Sequence, residues 1–358
     1  MGKFIFKSLI SFLILFFLIL IFLANFGFKT DKFDKLIKDR ANIINSNFKL
    51  DFNKTKIFFD IKDLKLLVKL QEPRVIVKNN KINLSKLDLS LPIKSFYTSD
   101  FILEKVNIGF EKNNIKDLTK VTKVFLPLFI NKKLKKIFVK GVLEGEFVIF
   151  FNTDGSIKKN VNFNGKINKG QIDLPKNYKI ENLYTEINYK KSNQIDILKV
   201  DIKKGKISNM DFSESLIKIE FKGSNKKIES TIQTSGNIKN SEIKKILSIF
   251  DIKNNFIESA NLKSDLITNI NFDINDKFKI SNTSYKVNGV INDFNLKIKN
   301  KKIFNSFFPS FDQNILLKNT KINFYGPRGF NGDQEIKLTG NIKFSDKFEK
   351  FNYSQVYK

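Results

Sequence analysis

A two-residue alternation of apolar and polar side chains constrains this fold more than any other feature of the sequence. It is found at residues 64–70, 106–110, 217–221, 270–274 and 336–344. In a β-strand, successive side chains point to opposite faces, so these segments predict strands with one apolar face and one solvated face. A parallel α/β core, whose strands are apolar on both faces, is not expected. The sequence therefore predicts a mainly β protein built as a long antiparallel meander.

The segments between these strands carry residues that favour tight turns. Hairpins are predicted at Asn79-Asn80, at Asn152-Thr153-Asp154-Gly155 and at Asn331-Gly332-Asp333, because Asn, Asp and Gly tolerate the backbone angles of short β-turns. Glycines inside or beside strands favour bulges and bends. These glycines are Gly165, Gly170, Gly205, Gly236, Gly289 and Gly340. We therefore expect consecutive strands to be neighbours in a curved sheet.

The N-terminal segment predicts a membrane helix. Residues 9–28 contain no charge, and about 20 apolar residues are what a helix needs to cross a bilayer. Small residues are poorly placed for signal-peptide cleavage, so an uncleaved signal anchor is expected, with the N-terminus cytoplasmic and the body on the other side. The residues predicted to contact lipid in the anchor are Leu9, Phe12, Phe16, Leu20, Leu23 and Phe28.

Three further segments have helical spacing. Residues 31–47 predict an amphipathic helix that either lies against the membrane or, as we favour, caps the next domain, and residues 115–128 predict a second helix. A third is predicted behind an Asn240-Ser241 cap. The expected organisation is thus an anchor at 1–30, a helix at 31–47, a first β part at 48–239, and a helix followed by further strands at 240–358. The last part has no obvious closing strand, so a truncated chain is one expectation.

The composition limits the chemistry. The chain of 358 residues has no histidine and no cysteine, so histidine-based catalysis, thiolate or imidazole metal sites and disulfides are excluded. No cofactor is expected. The net charge of +28 comes almost wholly from lysine, since Arg40, Arg74 and Arg328 are the only arginines. Because arginine is the residue preferred for base and bidentate phosphate recognition, specific nucleic-acid binding is not expected.

The alternation leaves two arrangements open for the apolar face. A sandwich would bury it against a second sheet, whereas a single curved sheet would leave it as an open groove, and apolar surface of that extent beside a membrane suits acyl chains. In the second arrangement the groove is predicted to be lined by residues of three strands. They are Phe147, Ile149, Phe151, Ile217, Ile219, Phe221, Ile270, Phe272 and Ile274.

One stretch of sequence resembles a known family. It comprises VKGVLEGEFVIFF at residues 139–151, Asp154-Gly155, and VNFNGKINKGQIDLP at residues 161–175. Together with the single N-terminal anchor, this order of motifs is similar to the AsmA-like superfamily, in particular its YhdP-type branch. The recognisable motif order covers residues 139–238. Members of that branch are generally much longer and have a distinct C-terminal region that is not recognisable in this sequence.

The resemblance implies a function. It implies a bacterial inner-membrane protein with a single membrane pass and a periplasmic body, which belongs with the bridge-like lipid transfer proteins and is not an enzyme. Phospholipid tails would then move along the β-groove toward the outer membrane, with envelope proteins as further partners. The alternative is an anchored envelope scaffold that assists outer-membrane protein assembly.

Enzyme chemistry is the third alternative, and its candidate motifs are weak. Glu144 and Glu146 share a strand face and are spaced like a glycosidase pair, but no orienting residue accompanies them. Gly326, Gly329 and Gly332 suit a turn better than a phosphate loop. Residues 273–276 lack the glycine and the later glutamate of a calcium loop. No catalytic or metal-binding residue is predicted.

Overall fold

The computed structural model describes most of the chain, namely residues 2–44, 48–77, 80–96, 102–122, 138–174, 178–191, 195–223, 225–249, 257–277, 279–299, 311, 313–326 and 333–357. The helices among these residues are α1 (Gly2–Asn25), α2 (Asp34–Ile44), α3 (Ile115–Thr122) and α4 (Asn240–Ile249), with a short 3-10 helix at Ile93–Phe96.

The strands are β1 (Phe28–Thr30), β2 (Phe48–Asp51), β3 (Thr55–Asp60), β4 (Lys65–Leu70), β5 (Arg74–Val77), β6 (Asn80–Pro92), β7 (Lys105–Asn114), β8 (Phe138–Phe151), β9 (Ile157–Asp173), β10 (Lys179–Lys191), β11 (Asp196–Ile207), β12 (Met210–Lys222), β13 (Asn225–Ile238), β14 (Ile257–Ile274), β15 (Ile280–Ile298), β16 (Asn314–Gly326), β17 (Gln334–Lys343) and β18 (Glu349–Tyr357). They form one long antiparallel sheet of 18 strands that does not close. The predicted fold class is confirmed.

The chain divides into two compact units. Unit 1 comprises Met1–Lys136, Gly141–Lys166 and Tyr189–Asn193, and unit 2 comprises Ile137–Lys140, Ile167–Asn188 and Gln194–Lys358. This division follows contacts within each unit, whereas the predicted boundary near residue 240 follows the helix α4. The boundary near residue 240 therefore stays a prediction.

Unit 1 has a closed core. Strand β6 pairs with β5 through its first residues and with β4 through its last, so the same strand belongs to two ladders. Apolar side chains from both ladders meet in one buried cluster, in which Val68 and Leu91 are 0% exposed and Val77 is 2% exposed. Burial of this kind stabilises the folded state by about 1.5–3 kcal/mol for each large aliphatic side chain.

Helix α2 covers this cluster, as predicted for an amphipathic helix at 31–47. Phe33, just before the helix, and Ile37, one turn into it, are 4% and 5% exposed and belong to the cluster. The hydroxyl of Thr55 donates a hydrogen bond to the Asp34 carboxylate in the first turn of the helix. Helix α2 is therefore part of the unit 1 core and not a separate linker.

Helix α3 confirms part of another prediction. Its Leu118 belongs to the same buried cluster, and Ile115 is 6% exposed. The predicted helical spacing extends to Phe125 and Leu128, which lie outside the described residues.

Unit 2 is a regular meander. From β11 to β18, each strand pairs antiparallel with the next one along the chain. The one helix of its described part is α4, which joins β13 to β14. The side chain of Asn240, its first residue, accepts a hydrogen bond from the Ala260 amide at 3.1 Å and so fixes the helix to β14, whereas the Glu242 and Ile243 amides donate to the Lys239 carbonyl.

Of the predicted turns, the hairpin between β8 and β9 forms at residues 152–155. Gly155 has φ +81°, and Asp154 accepts a hydrogen bond from the Ser156 amide at 2.9 Å. Asn79 and the turn at Asn331-Gly332 lie outside the described residues, while Asn80 is the first residue of β6.

Candidate functional site

The register of unit 2 aligns six of the nine predicted groove residues on one face of the sheet. Ile219 on β12 lies opposite Ile228 on β13, which lies opposite Phe272 on β14. In one neighbouring row, Ser230 of β13 lies between Ile217 and Ile270. In the other, Lys226 of β13 lies between Phe221 and Ile274. Because directly opposed residues share a face, these side chains form a single apolar surface.

The surface continues across later strands. Val287 of β15 lies opposite Phe324 of β16, and Phe324 lies opposite Ile336 of β17. One row further, Ile322 lies opposite Leu338. We call this surface the unit 2 apolar face and define it by its described members from β11 to β17. They are Leu198, Val200, Ile217, Ile219, Phe221, Ile228, Ile232, Leu266, Ile270, Phe272, Ile274, Val287, Ile322, Phe324, Ile336 and Leu338.

The unit 2 apolar face differs from the unit 1 core in its exposure. Every residue that defines it is half-buried, whereas the large buried cluster of the described residues lies in unit 1. Unit 2 also has buried apolar side chains, including Ala260, Ile298 and Leu317, which lie at one end of β14, β15 and β16. A sheet face covered by a second layer would bury such side chains almost completely, as Val68 and Leu91 are buried. The described part of unit 2 therefore has an uncovered apolar surface, which in a folded protein usually marks a binding surface.

Bulges interrupt the strands that carry this face. Between β12 and β13 the register shifts after Ser213, and between β16 and β17 it shifts after Lys318. In the first bulge Glu214, with φ +42°, precedes the fully buried Ser215. In the second, Asn319, with φ +46°, precedes the fully buried Thr320.

Buried hydroxyl groups satisfy the backbone at these bulges. Ser215 Oγ donates to the Ser213 carbonyl and accepts from the Gln233 amide, both at 2.9 Å. Thr320 Oγ1 donates to the Lys318 carbonyl at 3.2 Å. Bulges bend and twist a strand locally, so unit 2 contains the elements that curve a sheet.

The opposite face of unit 2 is charged and solvated. Lys218 Nζ lies 2.5 Å from a Glu220 oxygen and 3.7 Å from a Glu229 oxygen, and Lys227 pairs with Glu229 at 2.6 Å. The hydrogen bond from Lys227 lowers the pKa of Glu229, and the hydrogen bond to Glu220 raises the pKa of Lys218. These ion pairs thus lie on the side of β12 and β13 opposite the unit 2 apolar face.

The remaining three predicted groove residues lie in unit 1. Ile149 pairs with Val106 and Phe147 with Ile108, while Phe151 packs against the buried cluster. The Phe147 ring also stacks at 4.5 Å on Phe163. The structure therefore places these side chains beside the unit 1 core, and their role in a groove stays a prediction.

Helix α1 has the properties of a membrane span. Of the described helices, it alone is long and apolar enough to cross a bilayer, and none of the 20-residue stretch Phe6–Asn25 is buried in the protein. Its predicted anchor residues include Leu9, Phe12 and Phe16, which are 58%, 67% and 49% exposed. Leu20 and Leu23 also lie in the helix.

Phe28 is the exception among the predicted anchor residues. Helix α1 ends at Asn25, and Gly27 follows with φ +61°, a conformation that glycine adopts easily and that ends helices. Phe28 is the first residue of β1, where it pairs with Ile57 of β3 and packs against the unit 1 cluster. It belongs to the sheet because the chain leaves the helix before reaching it.

Unit 1 also contains a polar cavity of about 510 Å³, which was not predicted from the sequence. Its lining includes Asp88, Glu104 and Lys65, and the last two form an ion pair at 2.9 Å. Burial raises the pKa of Asp88. These three charges come from β4, from β6 and from the segment before β7, so no single sequence motif predicts the cavity.

The catalytic candidates do not come together with further functional groups. Glu146 pairs with Lys86 at 2.8 Å, and this hydrogen bond lowers the pKa of the carboxyl group, as suits a surface ion pair rather than a general acid. Among the described residues, no three Asp, Glu, His or Cys side chains are grouped as a metal site.

The other two weak motifs are structural or lie outside the described residues. Asp273 accepts a hydrogen bond from Asn282 at 2.6 Å, and Asn275 accepts one from the Lys279 amide at 2.9 Å, as expected at the end of a hairpin. Of the glycine series, Gly326 ends β16, and Gly329 and Gly332 lie outside the described residues.

Comparison of the chain with protein-family models, curated proteins and solved structures finds no match.

Proposed function

We propose that this chain is a single-pass membrane protein whose unit 2 binds phospholipid acyl chains on its apolar face and assists lipid transport. The observation that carries the proposal is the half-burial of the unit 2 apolar face, set against the complete burial of the unit 1 core. The exposed helix α1 supports anchoring beside a source of lipid.

The physical basis is the transfer of apolar surface out of water. Each methylene group that a lipid tail shelters on the protein gains about 0.8 kcal/mol, so even a few sheltered groups give useful binding without specific contacts. The rows from β12 to β17 offer such surface over several strands, and the charged side of the same strands stays in water. No catalytic step or energy source is part of this proposal.

The resemblance to the AsmA-like superfamily adds the direction and place of transport to the proposal. Under it, α1 anchors the chain in the bacterial inner membrane, the body lies in the periplasm, and the lipids move toward the outer membrane. Envelope proteins then act as partners. The resemblance rests on the motif order at residues 139–238.

The test measures bound lipid on a soluble form of the body. Such a form should begin at Phe28, because α1 is exposed along its length, whereas Phe33 and Ile37 belong to the unit 1 core and must be kept. Purified without detergent, this form is expected to carry phospholipid that native mass spectrometry detects. Ile219→Asp and Phe272→Asp place a charge on the apolar face and are each expected to reduce the bound lipid strongly.

A matched control is available on the same sheet. Ile267 of β14 is 42% exposed and lies on the charged side, opposite Gln233 and Asn288. Ile267→Asp makes the same chemical change there and should leave the bound lipid unchanged. Equal lipid recovery from Ile219→Asp and Ile267→Asp, with both folded by circular dichroism, would contradict acyl-chain binding on the apolar face.

The alternative function is an anchored envelope scaffold that assists outer-membrane protein assembly. It is favoured by one observation: the sheet does not close, and an open sheet leaves strand edges available for pairing with another chain. A folded wild-type body that carries no lipid would favour this alternative.

A further inference from the structure

Three lysines lie side by side where the chain leaves α1. The register of β1, β3 and β4 places Lys29 opposite Lys56, and Lys56 opposite Lys69. Like charges directly opposite each other destabilise a strand pair. This lysine row therefore works against the fold of unit 1 unless an anion neutralises it.

The protein supplies little neutralisation. Among the residues that the structure describes, none of these three lysines forms an ion pair within 4.0 Å. Asp88 lies opposite Lys69 in the register, and Lys69 attracts its charged form, but burial is the larger effect and raises the pKa of Asp88. In unit 2, by contrast, Lys199 also lies opposite Lys218, and there Glu220 and Glu229 pair with Lys218.

The lysine row is fixed at the end of the membrane helix by one aromatic ring. The ammonium groups of Lys56 and Lys69 lie 4.9 Å and 4.7 Å from the centre of the Phe58 ring. The same ring lies beside Gly27, since a Cβ added there would be 3.0 Å from Phe58 Cδ1. Gly27 follows the end of α1 by two residues, so the lysine row lies at the level where a helix leaves the hydrocarbon core.

We propose that Lys29, Lys56 and Lys69 bind the phosphate headgroup of an anionic phospholipid in the membrane that α1 crosses. Both observations point to this occupant: among the described residues the row forms no ion pair, and it lies next to the end of the apolar helix α1. Basic residues near an anionic membrane surface contribute about 1 kcal/mol each. The inference depends on anchoring by α1 and is independent of acyl-chain binding by unit 2.

The experiment uses a tryptophan reporter in the full chain. The chain contains no tryptophan, so Phe58→Trp introduces a single reporter in contact with the lysine row, and tryptophan is the strongest aromatic partner for a cation. The variant is reconstituted in phosphatidylcholine nanodiscs that contain a small fraction of phosphatidylglycerol or phosphatidylcholine with brominated chains. Quenching of the tryptophan fluorescence measures how often each brominated lipid is next to residue 58.

We expect brominated phosphatidylglycerol to associate with the reporter roughly 5- to 30-fold more strongly than phosphatidylcholine, the range for one or two engaged lysines. Lys56→Gln with Lys69→Gln should bring the ratio close to one, and Lys56→Arg with Lys69→Arg should retain it. The matched control, Lys286→Gln with Lys321→Gln, removes two exposed lysines of unit 2 and should keep the ratio.

Other outcomes would overturn the inference in distinguishable ways. Equal quenching by the two lipids would refute the headgroup preference alone. Absence of quenching by both would show that residue 58 is not next to lipid and would refute the inference, while leaving the unit 2 proposal untouched. Loss of the preference on adding millimolar inorganic phosphate at constant ionic strength would assign the lysines to a soluble phosphate instead.

Discussion

Replacing the same residue type in the two units measures whether the unit 2 apolar face is open. Leu91 of β6 is 0% exposed in the closed core of unit 1, and Leu338 of β17 is half-buried between Ile322 and Tyr353. Leu91→Ala removes a fully buried side chain and leaves a cavity, which costs about 3 kcal/mol. Leu338→Ala removes a side chain that is partly in water and leaves no enclosed cavity, so we expect a cost of about 1 kcal/mol.

Hydrogen exchange followed by mass spectrometry is the suitable assay, because it reports local opening and does not require the two units to unfold together. The difference of about 2 kcal/mol corresponds to a change of roughly 30-fold between the opening constants of the two sites. Both variants are measured in lipid-free protein. A cost for Leu338→Ala equal to that for Leu91→Ala would show that the unit 2 face is a closed core and would refute the proposed binding surface.

Two smaller changes test the junction after α1 and a surface ion pair. Gly27→Ala should destabilise β1 and β3 by more than about 1 kcal/mol, because φ is +61° and the new Cβ would lie 2.6 Å from the Ile57 carbonyl oxygen. Gly223→Ala, at φ +60° with no atom within 4 Å of the new Cβ, isolates the conformational part, and equal losses in hydrogen-exchange protection would refute the close approach. The pKa of Glu146 is lowered by its hydrogen bond from Lys86, so this pair should stabilise the protein above about pH 4.5 and lose that contribution as the pH falls through the lowered pKa. Because both side chains are more than a third exposed, the contribution should stay below about 1 kcal/mol, and urea unfolding of Glu146→Gln should show a correspondingly weaker loss between pH 7 and pH 3. An unchanged pH dependence would refute this assignment.

Much of the fold follows from local patterns in the sequence. The alternation at residues 217–221 and 270–274 predicts both the strands and the face on which their apolar residues lie, since side-chain direction in a strand depends only on parity. The helix that begins at Asn240 is likewise predictable from the helical spacing of its apolar residues. These features depend on residues near one another in the chain, and the structure confirms them.

Features that depend on strand pairing escape such reasoning. Glu214 and Asn319 adopt positive φ without being glycine, and their bulges are stabilised by hydroxyl groups of the next residue, a combination that no turn signal marks. The lysine row arises because three separate strands pair in a particular register. Hydropathy predicts that Phe28 belongs to the membrane anchor, whereas in the structure it pairs with Ile57 and belongs to the sheet.

The two units show that the same alternation leads to different surfaces. In β4 and β6 the apolar positions are buried because α2 and the ladder of β2, β5 and β6 supply further apolar side chains, such as Ile37 and Val77. At the residues of the unit 2 apolar face the same period-two pattern produces half-buried side chains, because the described strands there form a simple meander in which each strand contacts its neighbours. Alternation therefore determines which face is apolar, and the elements inserted between strands determine whether that face becomes a core or remains available for a ligand.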